Sequence, residues 1–138
     1  MGRVINIDGV GKERKRLTRA VVLALRELMR QSSPDEKTKD LAAFISLALQ
    51  AIHDTIDTSV GPWEKRGYWL KADRFRLEWA WSERLGREMK KAILADDWAS
   101  VAGIAAQVAE KLDDVKVPKR HGLGTPWEGA WEQLKTSK

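Results

Sequence analysis

Apolar residues recur every three or four positions through most of this chain, and this spacing constrains the fold more than any other feature. The repeat runs through four segments that are joined by only two or three residues. Spacing of this kind places the apolar side chains on one side of an α-helix, and short connections favour antiparallel neighbours. The sequence predicts an all-α fold, an up-down four-helix bundle with an extended N-terminal arm and a short C-terminal helix.

The whole chain is predicted to form a single helical domain. Its 138 residues suit one domain with one hydrophobic core. Residues 1–11 contain three glycines and find no partner strand in the rest of the sequence, so we expect them to form an extended arm. Residues 12–114 are expected to form the bundle, with the first helix over 12–31. Residues 115–138 are expected to form a tail that ends in a short docking helix.

The second helix has the clearest predicted start. Ser33 is followed by Pro34 and, three positions after the serine, by Glu36. A capping box has this pattern, because the serine side chain bonds a free amide of the first turn and the glutamate reaches back to the serine amide. Proline suits the first helical position, which needs no amide donor. We expect this helix to stop at Gly61-Pro62.

The remaining helices are bounded by the same kinds of signal. We expect the third helix to run from Pro62 to about residue 95, and the fourth from Asp96 or Asp97 to residue 114. The last helix is predicted to start at Thr125-Pro126, where Glu128 completes a second capping box.

Composition excludes several classes of function. The chain has no cysteine, so disulfides, thiolate metal sites and cysteine nucleophiles are excluded. The first 15 residues have no apolar core of a signal peptide, and no run of about 18 apolar residues is present. We therefore expect a cytoplasmic protein with no membrane partner. No residue pattern in the sequence indicates a cofactor or a catalytic triad, so we lean against an enzyme.

Charge is concentrated in the first helix. Residues 1–31 hold eight basic and three acidic residues, a net +5 that equals the net charge of the whole chain. Six of these cations fall within about 100° of one another on a helical wheel: Lys12, Lys15, Arg16, Arg19, Arg26 and Arg30. A row of such cations can follow the phosphates of a nucleic acid or another anion.

The simpler interpretation of this basic face is a solvated surface. Glu13 and Glu27 lie beside it, and the segment over residues 32–61 has a net charge of −3, so the second helix is a candidate for neutralising it. No helix-turn-helix, RNP or zinc-finger pattern accompanies the cations. The sequence therefore favours the solvated face.

The seven tryptophans form a second group of candidates. Trp81 and Trp98 lie on clean apolar stripes, so we expect them to pack in the core. Trp79 lies roughly opposite Trp81 on the predicted third helix, and a helix that is apolar on two sides is either central in its fold or at an interface. We expect Trp79, Trp127 and Trp131 to lie at an interface, because tryptophan is a favoured interface anchor. Docking within the chain is the equal alternative.

A metal site is the weakest candidate. His53 and Asp57 are four residues apart, so they share a helix face and could touch one ion. The Glu-x-x-His pattern of di-metal bundles is absent from the sequence. A structural hydrogen-bonded pair is the more common role for such residues.

The N-terminal segment of the chain resembles a family of small uncharacterised bacterial helical proteins. The likeness rests on MGRVIN, GKERKRLTR and ALRELMRQ and covers residues 1–31. It implies a small helical protein and no particular activity, ligand or partner.

Three functional hypotheses follow from these observations. The leading one is a non-catalytic helical binding or scaffold protein that forms a homo-oligomer, a dimer in its simplest form. The second is a nucleic-acid-binding accessory protein that uses the basic face of the first helix. The third is a metal or small-ligand site inside the bundle.

Overall fold

The computed structural model describes residues 7–137, and every regular element in that range is an α-helix. The five helices are α1 (Ile7–Met29), α2 (Glu36–Lys65), α3 (Trp69–Leu94), α4 (Trp98–Lys111) and α5 (Ala130–Thr136). The predicted all-α class is confirmed for this part of the chain.

α2 is the helix around which the others are arranged. It packs against α1, α3 and α5, whereas α4 packs mainly against α3. Along α2, side chains at spacings of three and four are fully buried: Leu41, Ile45, Leu49 and Ile52. The helical period of the sequence predicts this face, because burying one apolar face in water-free surroundings is what stabilises a helix in a globular protein.

α2 and α3 approach each other closely at one point. The buried Ser46 hydroxyl donates a 2.8 Å hydrogen bond to the Gly86 carbonyl. A Cβ atom on Gly86 would lie 3.1 Å from the Leu49 Cβ and 3.3 Å from the Ser46 carbonyl oxygen. Glycine is required here because any side chain would push the two backbones apart.

The predicted extended arm is wrong where the structure describes it. Residues 7–11 are helical and form the first turns of α1, while residues 1–6 lie outside the described range. The glycines at 9 and 11 each weaken a helix by about 1 kcal/mol relative to alanine, which lowers its stability without forbidding it. No proline interrupts the hydrogen bonds of this turn.

The predicted cap of α2 is also wrong, and Asp35 replaces Ser33. The Thr38 amide donates to Asp35 Oδ1 at 2.9 Å, and this backbone hydrogen bond is the main cause of the lowered pKa of Asp35. Proline disfavours a helical conformation in the residue before it, so Pro34 holds Ser33 outside the helix. Ser33 contributes its carbonyl, which accepts from the Thr38 hydroxyl at 2.6 Å.

α2 continues through Pro62 and ends at Lys65, so the predicted stop at Gly61-Pro62 is wrong. The stop is a Schellman motif in which the Tyr68 amide donates to the Trp63 carbonyl at 2.8 Å and the Gly67 amide to the Glu64 carbonyl at 3.0 Å. Gly67 has φ = +82°, a conformation that glycine adopts without strain. α3 therefore begins at Trp69 instead of Pro62.

α4 begins where one of the two predicted caps lies. Asp97 Oδ1 accepts a 3.2 Å hydrogen bond from the Ser100 amide, as the sequence predicted for Asp96 or Asp97. Asp96 turns the chain with φ = +56° and accepts from the Trp98 indole N–H at 2.6 Å. The helix ends at Lys111, and residues 112–114 continue as a turn, three residues short of the predicted end.

We expect Gly86→Val to lower the free energy of unfolding by about 1–3 kcal/mol, because extra methyl groups in a close contact force the helices apart. Urea unfolding followed by circular dichroism measures the change.

Gly11→Ala is the matched control. Gly11 is also helical, but a Cβ there meets no heavy atom within 4 Å, so we expect a gain of up to about 1 kcal/mol from helix propensity. A Gly86→Val protein as stable as the wild type would show that the two backbones do not touch at this point.

Candidate functional site

The six basic residues singled out in the sequence lie along α1, from its second turn to just past its end. Arg19 is partly exposed and the other five are exposed. Arg16 Nε lies 3.0 Å from Glu13 Oε2, and Arg30 NH1 lies 2.8 Å from Glu27 Oε1. Among residues 9–137, whose side chains the structure describes, the remaining four form no ion pair: Lys12, Lys15, Arg19 and Arg26.

Three of the five acidic residues of α2 are engaged away from this face. Asp57 and Glu64 both bind Arg76 of α3, the second at 3.0 Å, and Asp40 binds backbone amides of the tail. The ion pair between α1 and α2 uses a cation of α2, Lys37, which lies 3.6 Å from Glu27. The basic face is thus left to its own two glutamates.

Arg14 has a different role from the other basic residues of α1. Its guanidinium donates to Thr55 Oγ1 at 3.1 Å and to Ser59 Oγ at 3.0 Å, and it lies 4.9 Å from the centre of the Phe75 ring. Burial lowers the pKa of Arg14, and the charge of Glu78 partly opposes this shift. Arg14 therefore ties α1 to α2 and α3.

Sequence analysis missed the role of Arg14. Its position on the helical wheel, beside Leu17 and Val21 and away from the basic face, was a usable signal.

Trp79 and Trp81 are neighbours in the structure, not opposites. Their rings stack with centroids 5.9 Å apart and an interplanar angle of 27°, because large indole side chains can reach around a helix toward each other. Both are partly buried and pack against the core. Together with Arg14 and Lys15 they line a cavity of about 350 Å³ between α1, α3 and the end of α4.

The tryptophans of the tail pack against the rest of the same chain. Trp127 is 6% exposed and belongs to the core, and the partly buried Trp131 packs beside it. The ammonium groups of Lys39 and Lys135 lie 5.9 and 5.2 Å from the centre of the Trp131 ring. α5 docks on α2 through these contacts.

α5 starts later than predicted, and its cap comes from another helix. Asp40 of α2 accepts from the Trp131 amide at 2.9 Å and from the Gly129 amide at 3.3 Å. The predicted start at Thr125-Pro126 is wrong: the residues before Gly129 form a turn, and Gly129 has φ = +81°. Free amides at a helix start can be satisfied by any nearby carboxylate, so a distant side chain replaces the local capping box.

The candidate metal ligands do not assemble into a site. Asp57 binds Arg76, and His53 is partly buried on the same helix. In the described part of the chain, no three His, Asp or Glu side chains lie together as metal ligands would. The structure adds no further ligand to His53 and Asp57, the two residues on which the metal-site hypothesis was based.

An open apolar groove, which sequence analysis missed, lies between α1 and α4. These two helices contact each other much less than α2 and α3 do, and the groove has a volume of about 500 Å³. Apolar side chains from both helices line most of it: Leu25, Leu28 and Met29 from α1, and Trp98, Val101, Ala102, Ala105, Ala106 and Ala109 from α4. Met29 is 79% exposed.

Comparison with protein-family models, curated proteins and solved structures found no match to this chain. None of the helices within residues 7–137 has the length and apolar character needed to cross a membrane. The basic face of α1 and the α1/α4 groove are therefore two candidate surfaces for function.

We expect Asp40→Ala to destabilise the protein by about 1 kcal/mol, a typical value for the loss of a helix cap. It should also increase amide hydrogen exchange in residues 125–136, because α5 loses the carboxylate that holds its first turn. Mass spectrometry of the exchanged protein measures this.

Glu128→Ala separates the two possible caps. Glu128 is exposed and would be the capping residue only if the local capping box formed. We expect this variant to exchange like the wild type. Faster exchange in Glu128→Ala than in Asp40→Ala would restore the capping box as the start of the last helix.

Proposed function

We propose that this chain is a non-catalytic binding protein that works as a homodimer through the groove between α1 and α4. The observation that carries the proposal is the groove itself, an apolar surface of about 500 Å³ with Met29 at its edge. Contiguous apolar surface of this kind marks an interaction site in soluble proteins. In this proposal, α1 to α4 form an up-and-down bundle in which the groove between α1 and α4 is open.

The outward face of α4 favours a helix as the occupant. Small residues recur along this exposed face beside the groove: Ala99, Ala102, Gly103 and Ala106. Small side chains let a second helix approach to the short end of the usual interhelical distance. An amphipathic helix laid into an apolar groove is a common mode of protein recognition.

Charge favours a second copy of this chain as that helix. Gly11 and Lys15 of α1 line one cavity with Lys111 at the end of α4, so Arg26, nearer the end of α1, lies toward the start of α4. The exposed acidic Glu110 and Asp113 lie at the other end of α4. A twofold axis through the middle of α4 pairs the helix with itself in antiparallel fashion, which brings these acids of one copy toward Arg26 of the other.

We expect the wild-type protein to be a dimer at micromolar concentration, with twice the 15.6 kDa chain mass. Ala106→Arg should raise the dimer dissociation constant at least tenfold, about 1.4 kcal/mol, because it places a large cation in the groove. Light scattering and sedimentation equilibrium measure both.

Gln107→Arg is the control, since it adds the same charge at the next residue, which is exposed but does not line the groove. We expect it to remain dimeric. A monomeric wild type contradicts the proposal, and so does an Ala106→Arg protein that dimerises as well as Gln107→Arg.

As a second candidate, we propose that the basic face of α1 binds a nucleic acid. Four cations have no ion pair among the side chains of residues 9–137, and three of the five α2 acids are engaged elsewhere; both observations favour this function. Phosphate contacts release counterions, so such binding weakens with salt. Surface cations contribute little to folding, which leaves them available for a ligand.

We expect fluorescence anisotropy to detect binding to labelled single- or double-stranded DNA or RNA at low salt. If all four cations contact phosphates, affinity falls about a hundredfold between about 50 mM and 200 mM salt. Arg19→Glu with Arg26→Glu removes two contacts and should at least halve the slope of this salt dependence.

Lys91→Glu with Lys119→Glu is the matched control, because it changes the net charge equally at exposed positions away from α1. We expect it to bind more tightly than the Arg19/Arg26 variant. Equal losses in the two double variants would mean that overall charge, and not the α1 face, attracts the nucleic acid.

A further inference from the structure

The corner between α2 and α3 exposes three consecutive large apolar residues. Tyr68, Trp69 and Leu70 are 54%, 60% and 64% exposed. They lie where the chain reverses after only three connecting residues, 66–68. Single exposed apolar residues need no explanation, but several together mark an interaction surface.

Cations surround this apolar corner. Lys65, Arg66, Lys71 and Arg74 are all exposed, and none of them forms an ion pair with the side chains of residues 9–137. Lys71 lies 4.3 Å over the ring of Trp63. Three acids lie nearby. Glu64 is bound by Arg76, whereas Asp73 and Glu78 are exposed, and Glu78 lies beside Lys71 and Arg74.

The three connecting amides of the corner, at residues 66–68, are satisfied by internal hydrogen bonds, whereas no side-chain cap bonds the first amides of α3, which begin at Trp69. The amide of Arg66 donates to the Trp63 carbonyl at 3.1 Å, and the amides of Gly67 and Tyr68 donate within the Schellman motif. A backbone donor without a partner is costly in an apolar medium. These three connecting amides can therefore leave water without losing a hydrogen bond.

We infer that this corner docks on the surface of an anionic lipid bilayer. Tyr68 and Trp69 enter the interfacial layer, where amphipathic aromatic rings are favoured, and Leu70 reaches the acyl chains. The four cations contact lipid phosphates, because anionic headgroups attract basic clusters beside an inserted segment. No membrane span is needed, and the inference is independent of the α1/α4 groove.

A bilayer fits this corner better than a nucleic-acid strand does. Proteins that bind single strands stack successive bases on aromatic rings along a groove. Here the apolar residues lie on a reversal of the chain, and Leu70 has no ring on which a base could stack. The inference goes beyond the sequence-based expectation of no membrane partner, which rested on the lack of a spanning segment.

Vesicle co-sedimentation tests the inference on the full-length protein. The probes are vesicles of phosphatidylcholine alone and of phosphatidylcholine mixed in equal parts with phosphatidylglycerol. We expect at least about tenfold tighter binding to the anionic vesicles, and a decrease in that preference at high salt. Failure to bind the anionic vesicles at low salt overturns the inference.

Two pairs of variants assign the binding to the corner. Trp69→Ser with Leu70→Ser should weaken vesicle binding at least tenfold, whereas Leu77→Ser with Leu94→Ser, which alters exposed leucines elsewhere on α3, should not. Lys71→Glu with Arg74→Glu should abolish the preference for anionic lipid, and Lys91→Glu with Lys119→Glu should retain it. Equal effects within either pair overturn the inference.

The absence of cysteine allows a direct readout of insertion. Leu70→Cys and Leu77→Cys are each labelled with an environment-sensitive fluorophore. We expect a blue shift and protection from an aqueous quencher at position 70 but not at position 77 when anionic vesicles are added. If the Trp69/Leu70 variant instead loses binding to DNA or RNA while the label at position 70 stays in water, the corner is a nucleic-acid site and the inference is wrong.

Discussion

The close contact between α2 and α3 at Ser46 and Gly86 is the constraint on which the rest of the structure depends. It brings the two longest helices together over a large area, and their buried side chains form half of the hydrophobic core. α1 and α5 then pack on α2, and α4 packs on α3. Because α4 follows α3 and contacts α1 only weakly, the α1/α4 seam is the one left open.

The helical pattern of the sequence predicted which segments are helices, but it was less reliable for their ends. The spacing of apolar residues indicates which face of a helix is buried, and the four long helices have this spacing. Ends depend on local competition: Pro34 moves the cap from Ser33 to Asp35, and Gly67 stops α2 beyond Pro62. The cap of α5 lies about 90 residues away in the sequence, at Asp40, so no local pattern could reveal it.

Candidate sites were predicted only where they depend on one helix. The basic face of α1 lies along one helix, and its exposure agrees with the helical wheel. The groove could not be predicted from the sequence, because it is formed by two helices that are more than 60 residues apart in the chain and do not pack closely against each other. The pairing of Asp57 and Glu64 with Arg76 likewise decides which charges remain free, and it depends on the packing of α2 against α3.

Most of the tryptophans are packed within the chain, so they are not the residues that a partner would contact. Trp127 is fully packed, and Trp79, Trp81 and Trp131 are partly buried against the same core, so these large rings already stabilise the folded chain. What α4 offers to a partner is alanine and glycine, which lose little side-chain entropy when they are buried. An interface built from such residues gains from close backbone approach more than from large anchors. In the proposed dimer, the charges at the ends of this interface, Arg26 on one side and Glu110 on the other, set the direction in which the partner helix lies.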